Sequence, residues 1–154
     1  MRNLCFFLAS VLVLSSCESN SVFEGNQPVN PQGWKAFDPV HFEFETNDTI
    51  KLHNFYLNVR NREDYAYSNL FFFVEMEFPN GKKSVDTVEC LLANEQGQWL
   101  GEPTANIFSH EFLYQRAKQF PLGGRYKVDI RQGMRPDELK GLTDVGFKLT
   151  HTTQ

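Results

Sequence analysis

Residues 125–131, Arg-Tyr-Lys-Val-Asp-Ile-Arg, switch between charged and apolar at every step. A repeat of two is the signature of a strand with one face buried and one wet. It excludes an amphipathic helix, whose apolar stripe returns every three to four residues or so. The same alternation recurs along the chain. Phe42 and Phe44 alternate with His41, Glu43 and Glu45, and Phe55, Leu57 and Val59 with Asn54, Tyr56 and Asn58. Val74, Met76 and Phe78 alternate with Glu75 and Glu77, while Val88, Cys90 and Leu92 share one face, as do Val145, Phe147 and Leu149. Pro79-Asn80-Gly81 lies between two of these runs, where Asn-Gly supplies the positive φ values of a hairpin turn. Around Ile107 the pattern suggests a short helical turn, followed by a strand from Phe112 to Phe120, and the loop 133–143 has room for one more helical turn. About eight short strands between turn signals predict an all-β chain: a single antiparallel β-sandwich of jelly-roll type over residues 33–154.

The first 32 residues read differently. Arg2 precedes an apolar block, Leu4 to Leu14, far short of the roughly 20 residues a spanning helix needs. A basic start, a short apolar run and small residues after it form a secretory signal peptide. Leu14-Ser15-Ser16-Cys17 matches the lipobox of bacterial lipoproteins, in which the cysteine sulfur takes a diacylglyceryl group and the bond before it is cut. The expectation is therefore a signal peptide over 1–16, a lipidated Cys17 and a flexible tether over 17–32. A multi-chain anchor makes physical sense, since each buried methylene contributes only about 0.8 kcal/mol and one acyl chain binds only marginally. The tether is rich in Ser, Asn, Gly and Pro and would span about 20 Å r.m.s.. Val22-Phe23 is its one apolar pair, able to dock on the domain as an arm.

Once Cys5 has left and Cys17 is lipidated, Cys90 has no disulfide partner and reads as a small buried hydrophobe. The net charge of −4, with signs interspersed, argues against a nucleic-acid partner. His41, His53, His110 and His151 are scattered, with no His-x-x-x-His spacing, and neither a nucleophile elbow nor a phosphate loop is present. Glu75 and Glu77 would lie about 7 Å apart on one strand face, loosely suiting an inverting carboxylate pair, but they read better as a charged solvent face. Asp86, Glu89 and Asp144 lack the density of a calcium loop. No catalytic activity, cofactor or metal is expected.

Two stretches carry residue types suited to protein docking. Asn61–Leu70, with Arg60 just before it, gathers Arg60, Arg62, Tyr65 and Tyr67. Tyr and Arg are enriched where binding energy concentrates, because they bury area and keep a polar tip. The same rings would equally serve to close the open end of a sandwich. Met134-Arg135-Pro136 is a second such loop. Trp34, Tyr56, Tyr65, Tyr67 and Trp99 are also the aromatics from which a sugar-stacking platform could be built, which makes a carbohydrate-binding module the alternative reading.

Specific segments also carry a family resemblance. Asn58-Val59-Arg60-Asn61, Tyr65 to Leu70, Asp86-Thr87 leading into Cys90-Leu91-Leu92-Ala93, and Gly97-Gln98-Trp99-Leu100-Gly101 resemble the GldH family of gliding-motility lipoproteins. Residues 119–135 and 139–149 fit the same pattern. The resemblance implies a non-catalytic cell-envelope lipoprotein that supports gliding or the associated type IX secretion machinery. The implied anchorage is the outer membrane, facing the periplasm, with other envelope proteins as partners.

Overall fold

A computed structural model of the chain describes residues 20–152. The expected signal peptide and Cys17 lie outside the described residues. Within them the chain forms strands β1 (Ser21–Pro28), β2 (Trp34–Lys35), β3 (Val40–Thr46), β4 (His53–Arg62), β5 (Asn69–Glu77) and β6 (Lys83–Leu91). β7 (Glu102–Thr104), β8 (Ile107–Lys118), β9 (Gly124–Gln132), β10 (Glu138–Leu139) and β11 (Leu142–His151) follow.

All pairings are antiparallel. One sheet has the order β1-β11-β4-β8-β7, the other β3-β9-β5-β6, and β10 and β2 make a small ribbon. Counting only the eight long strands, the two orders are 1-8-3-6 and 2-7-4-5. The expected antiparallel sandwich is present, and the alternation reads out directly as burial. β3 and β4 bury every second residue, including Phe42, Phe44, Phe55, Leu57 and Val59. Tyr126, Val128 and Ile130 meet them from β9, and Val145, Phe147 and Leu149 from β11. Aromatic rings fill much of the space between the sheets. Phe44 stacks on Tyr126 at 5.4 Å, and Phe120 lies 4.8 Å from Tyr126.

Four expectations are corrected. The tether does not extend to residue 32: Ser21–Pro28 is an edge strand paired with β11 from Thr150 to Asp144. Phe23 fixes it there, with its ring 5.5 Å from Phe44 and about as close to Phe42 and Phe147 (6.3 and 6.2 Å). The polar residues of this segment face solvent, as an edge strand allows. The helical turn near Ile107 is instead the start of β8, entered from β7 through Ala105-Asn106 with Ala105 at φ 55°. No helix forms in 133–143, where Glu138–Leu139 pairs with Trp34–Lys35. In the β5–β6 hairpin only Gly81 takes a positive φ, 77°. Phe78 and Lys82 are bonded N to O at 2.8 Å, so the loop has one residue more than a two-residue turn and needs a single left-handed position.

Candidate functional site

The loop joining β4 to β5 is positioned by buried polar groups. Asn61 is fully buried; its Nδ2 donates to the Arg62 carbonyl at 3.0 Å, and its Oδ1 lies 2.8 Å from Nε2 of His110. Arg62 N–H donates to the Gly141 carbonyl at 2.7 Å, which ties this loop to the one before β11. Gly141 is needed at that crossing. Its φ is +85°, and a Cβ there would lie 2.9 Å from both Cα and N of Tyr65.

Tyr65 is only 4% exposed, and its hydroxyl donates to the Asn69 carbonyl at 3.0 Å. Desolvation pushes its phenol well above the ordinary tyrosine range, with a smaller contribution from Tyr67. Tyr65 therefore closes the end of the sandwich and cannot offer its ring to a partner, which removes it from the docking set. Tyr67, two residues on, is 39% exposed and rests edge-on against Tyr65 at 5.7 Å. Behind them Trp99 lies 6.4 Å from Tyr65 and 5.6 Å from Phe108.

The loop after β9 is equally fixed. The buried Gln132 holds both its ends: Oε1 accepts from Met134 N–H at 2.8 Å, and Nε2 donates to the Pro136 carbonyl at 2.9 Å. Gly133 N–H donates to the Phe71 carbonyl at 2.7 Å, and Phe71 N–H points at the Met134 sulfur at 3.4 Å. As a result two loops more than sixty residues apart in sequence line one groove of about 520 Å³, formed by Tyr67, Phe71, Gly133, Met134, Arg135 and Pro136. Its walls are mostly apolar. Arg135 is exposed at its edge and makes no ion pair among the described residues. Phe71 and Gly133 belong to this groove and were not singled out from the sequence. The hydrogen bonds that join the two loops are long-range, and no local pattern announces them.

The remaining candidates are dispersed. Arg60 is on the outer face of β4, opposite Asp144 and Ser109 in register, in a polar depression with Glu24, Glu102 and Glu111. Arg62 is bonded to Asp64 at 2.6 Å and lines a separate shallow pocket with Glu63 and Asn106. Of the five aromatics considered for sugar stacking, Trp34 is buried with Nε1 donating to the Asp38 carbonyl, and Tyr65 is in the core. Tyr56 lies under the ammonium of Lys148, its register partner on β11, away from the β4–β5 loop, so the five do not form a platform. Glu75 and Glu77 are both engaged by Lys83, at 2.7 and 3.8 Å, and Lys127 reaches Glu77 at 3.4 Å. Asp86 accepts from Gln115 and Glu89 from Asn69, on the opposite sheet from Asp144. Cys90 is fully buried, and its thiol is pushed up to about 12, first by desolvation and then by Glu89.

Comparison with known proteins decides the family. The model of the GldH lipoprotein family matches residues 21–149, from the start of β1 to near the end of β11. The chain belongs to the GldH lipoprotein family. A gliding motility lipoprotein GldH homolog from Christiangramia forsetii is 34% identical over 150 residues, covering 93% of this chain and 91% of that protein. The gliding motility lipoprotein GldH of Flavobacterium johnsoniae is 31% identical over 156 residues, covering 97% and 96%. Among solved structures, a family GH115 4-O-methyl-α-glucuronidase overlays with a TM-score of 0.44 at 12% identity, across 86% of this chain and 18% of that one. The GldH match is thus a match of the whole chain to a lipoprotein family linked to gliding motility.

Proposed function

We propose that this GldH-family chain is a non-catalytic envelope lipoprotein that docks another protein of the gliding or type IX secretion apparatus in the groove between Tyr67 and Met134–Pro136. The observation that carries this reading is the convergence of two rigidly held loops on one open, largely apolar groove with an unpaired guanidinium at its edge. Such a groove suits a segment that brings an apolar or aromatic side chain and, beside it, a carboxylate for Arg135.

Geometry supports the same reading. If Cys17 carries the lipid, three residues separate the anchor from β1, and the four fully extended steps from Cys17 to Ser21 span about 14 Å. The sandwich then stays close to the bilayer rather than floating on a long tether. β1 begins opposite Thr150, near the end of β11, whereas the groove adjoins the loops that precede β11. Ten residues of strand put the two ends about 30 Å apart, so the groove faces away from the membrane. Confinement to the outer membrane, on its periplasmic face, raises the effective concentration of membrane-held partners, and a modest interface suffices.

The test compares two variants in cells. Cys17→Ala should release a folded chain from the membrane fraction, because the residue precedes β1. Tyr67→Ala with Arg135→Ala should leave the chain folded and anchored while gliding or secretion falls. Unchanged motility and secretion in the second variant, with normal protein levels, would remove the groove from the mechanism.

A further inference from the structure

The end of the sandwich opposite the groove holds an arrangement that the docking reading does not use. β4 begins at His53, β11 ends at His151, and the two residues are directly opposite each other in the ladder. His53 shares the inward face of Phe55 and Leu57, and His151 that of Leu149. Their rings are 4.9 Å apart. The loop between β3 and β4 carries Asp48 to the same place, so that one ligand atom from each of the three residues lies within 4.8 Å of the others.

His53 is fully buried, yet neither of its ring nitrogens has a hydrogen-bond partner among the described residues, and Nδ1 of His151 has none either. The backbone at Lys51 and Lys118 comes near the His53 ring without meeting hydrogen-bond geometry. A neutral imidazole always has one N–H to give and one lone pair to share. Folded proteins rarely bury such groups without a partner, a water or an ion. Here two lone pairs and one carboxylate converge on one point.

We propose that Asp48, His53 and His151 bind a divalent first-row transition ion of the zinc class. Two imidazole nitrogens and one carboxylate oxygen form a borderline donor set that suits zinc and its neighbours, whereas calcium and magnesium take oxygen ligands. Asp48 is prepared for the role. Its Oδ1 accepts the N–H groups of Ile50 and Lys51 at 3.1 and 2.9 Å, the kind of outer support that orients a ligating carboxylate. Among the described residues its Oδ2 has only the exposed Lys51 ammonium, at 3.9 Å, and is available to an ion. Bonds of about 2.0–2.1 Å in a tetrahedral site bring the donors to roughly 3.4 Å from one another. Closing to that distance needs a shift of little more than an ångström, at a turn residue and at the last residue of a strand. A groove of about 600 Å³, lined by Ile50, Lys51, Leu52, Gln119, His151 and Thr152, opens beside the cluster. It gives the ion a route in and leaves a fourth position for water or an external donor. The bound ion ties the start of β4 to the end of β11, where His151 N–H also holds the Asn20 carbonyl and the chain enters the fold.

The experiment uses the full mature lipoprotein in detergent, without a polyhistidine tag, stripped with EDTA and then dialysed. Zinc is titrated by calorimetry, and cobalt is followed by its visible absorption. One zinc ion per chain should bind, cobalt should give tetrahedral bands, and calcium and magnesium should compete with neither. His151→Ala and Asp48→Ala should each weaken zinc binding by about 100-fold or more, since even outer partners of ligands contribute about 10–100-fold. Thermal melts of these two half-exposed positions verify folding, so the test does not depend on replacing buried His53. Absence of saturable zinc binding overturns the proposal. So does binding that persists unchanged in both variants, or equal competition by calcium.

Discussion

Tyr65 and Tyr67 are two residues apart in sequence, yet one ring is buried and the other exposed, and three substitutions separate the roles proposed for them. Tyr65→Phe removes only the hydroxyl that donates to the Asn69 carbonyl at 3.0 Å, a loss of about 1 kcal/mol. Tyr65→Ala removes a ring that is 4% exposed and packed against both Tyr67 and Trp99. Truncating a buried aromatic typically costs about 3–5 kcal/mol. Tyr67→Ala removes a ring that is 39% exposed with one edge-to-face contact, so its loss is about 1 kcal/mol. Urea unfolding of the mature chain, followed by circular dichroism, measures all three. The expected order is Tyr65→Ala far below the other two. Partner affinity should show the reverse: Tyr67→Ala loses about 2 kcal/mol, close to thirtyfold, and Tyr65→Phe loses little. Equal destabilisation by the two alanine variants, or a Tyr65→Ala change within about 0.5 kcal/mol of wild type, would refute this division of roles.

Two further predictions concern stability. Phe23→Ala should cost about 2 kcal/mol, roughly half the value for a fully buried Phe, because the half-buried ring contacts Phe42, Phe44 and Phe147; a chain whose melting temperature ignores this change would have residues 21–28 as a true tether. His110 is buried beside Asn61, and desolvation holds its imidazole below the ordinary histidine range. The folded state keeps it neutral while the unfolded state takes a proton below about pH 6.5. Its contribution is therefore complete above that pH and is lost on acidification toward the lowered folded value, with a slope of at most about 1.4 kcal/mol per pH unit. His110→Gln should flatten the profile between pH 7 and 5, and parallel profiles for the two proteins would contradict the assignment.

The sandwich was legible in the sequence because its central strands have one buried face, and a repeat of two survives wherever pairing is regular. Legibility failed where that condition failed. β1 is an edge strand that inserts little more than Phe23, so its Ser, Asn and Gly content resembled a linker. β8 was legible as a strand only from Phe112, because Ile107, Phe108 and Ser109 at its start are all half-buried and show no alternation, although they pair regularly with β4. The β7–β8 hairpin was hidden because Ala105 takes the positive φ that a glycine would have advertised. At the groove, residue types were readable but burial was not. Tyr65 and Tyr67 are both loop tyrosines in a polar stretch, and nothing local distinguishes the ring that is buried, beside the close approach of Gly141 to the Tyr65 backbone, from the one that is exposed. His53 and His151 lie 98 positions apart, and nothing local marks them as cross-strand neighbours.

The central claim is that the groove between Tyr67 and Met134–Pro136 receives another envelope protein. The most direct measurement places a photo-cross-linking amino acid at Tyr67, at Arg135 and, as a control, at Glu43 on the outer face of β3, in living cells that make the lipidated chain. The account predicts that the two groove positions capture the same envelope protein and Glu43 does not. It also predicts that Met134→Ala weakens that capture without altering membrane anchorage. Equal capture from all three positions, or polysaccharide in place of a protein at the groove, would contradict it.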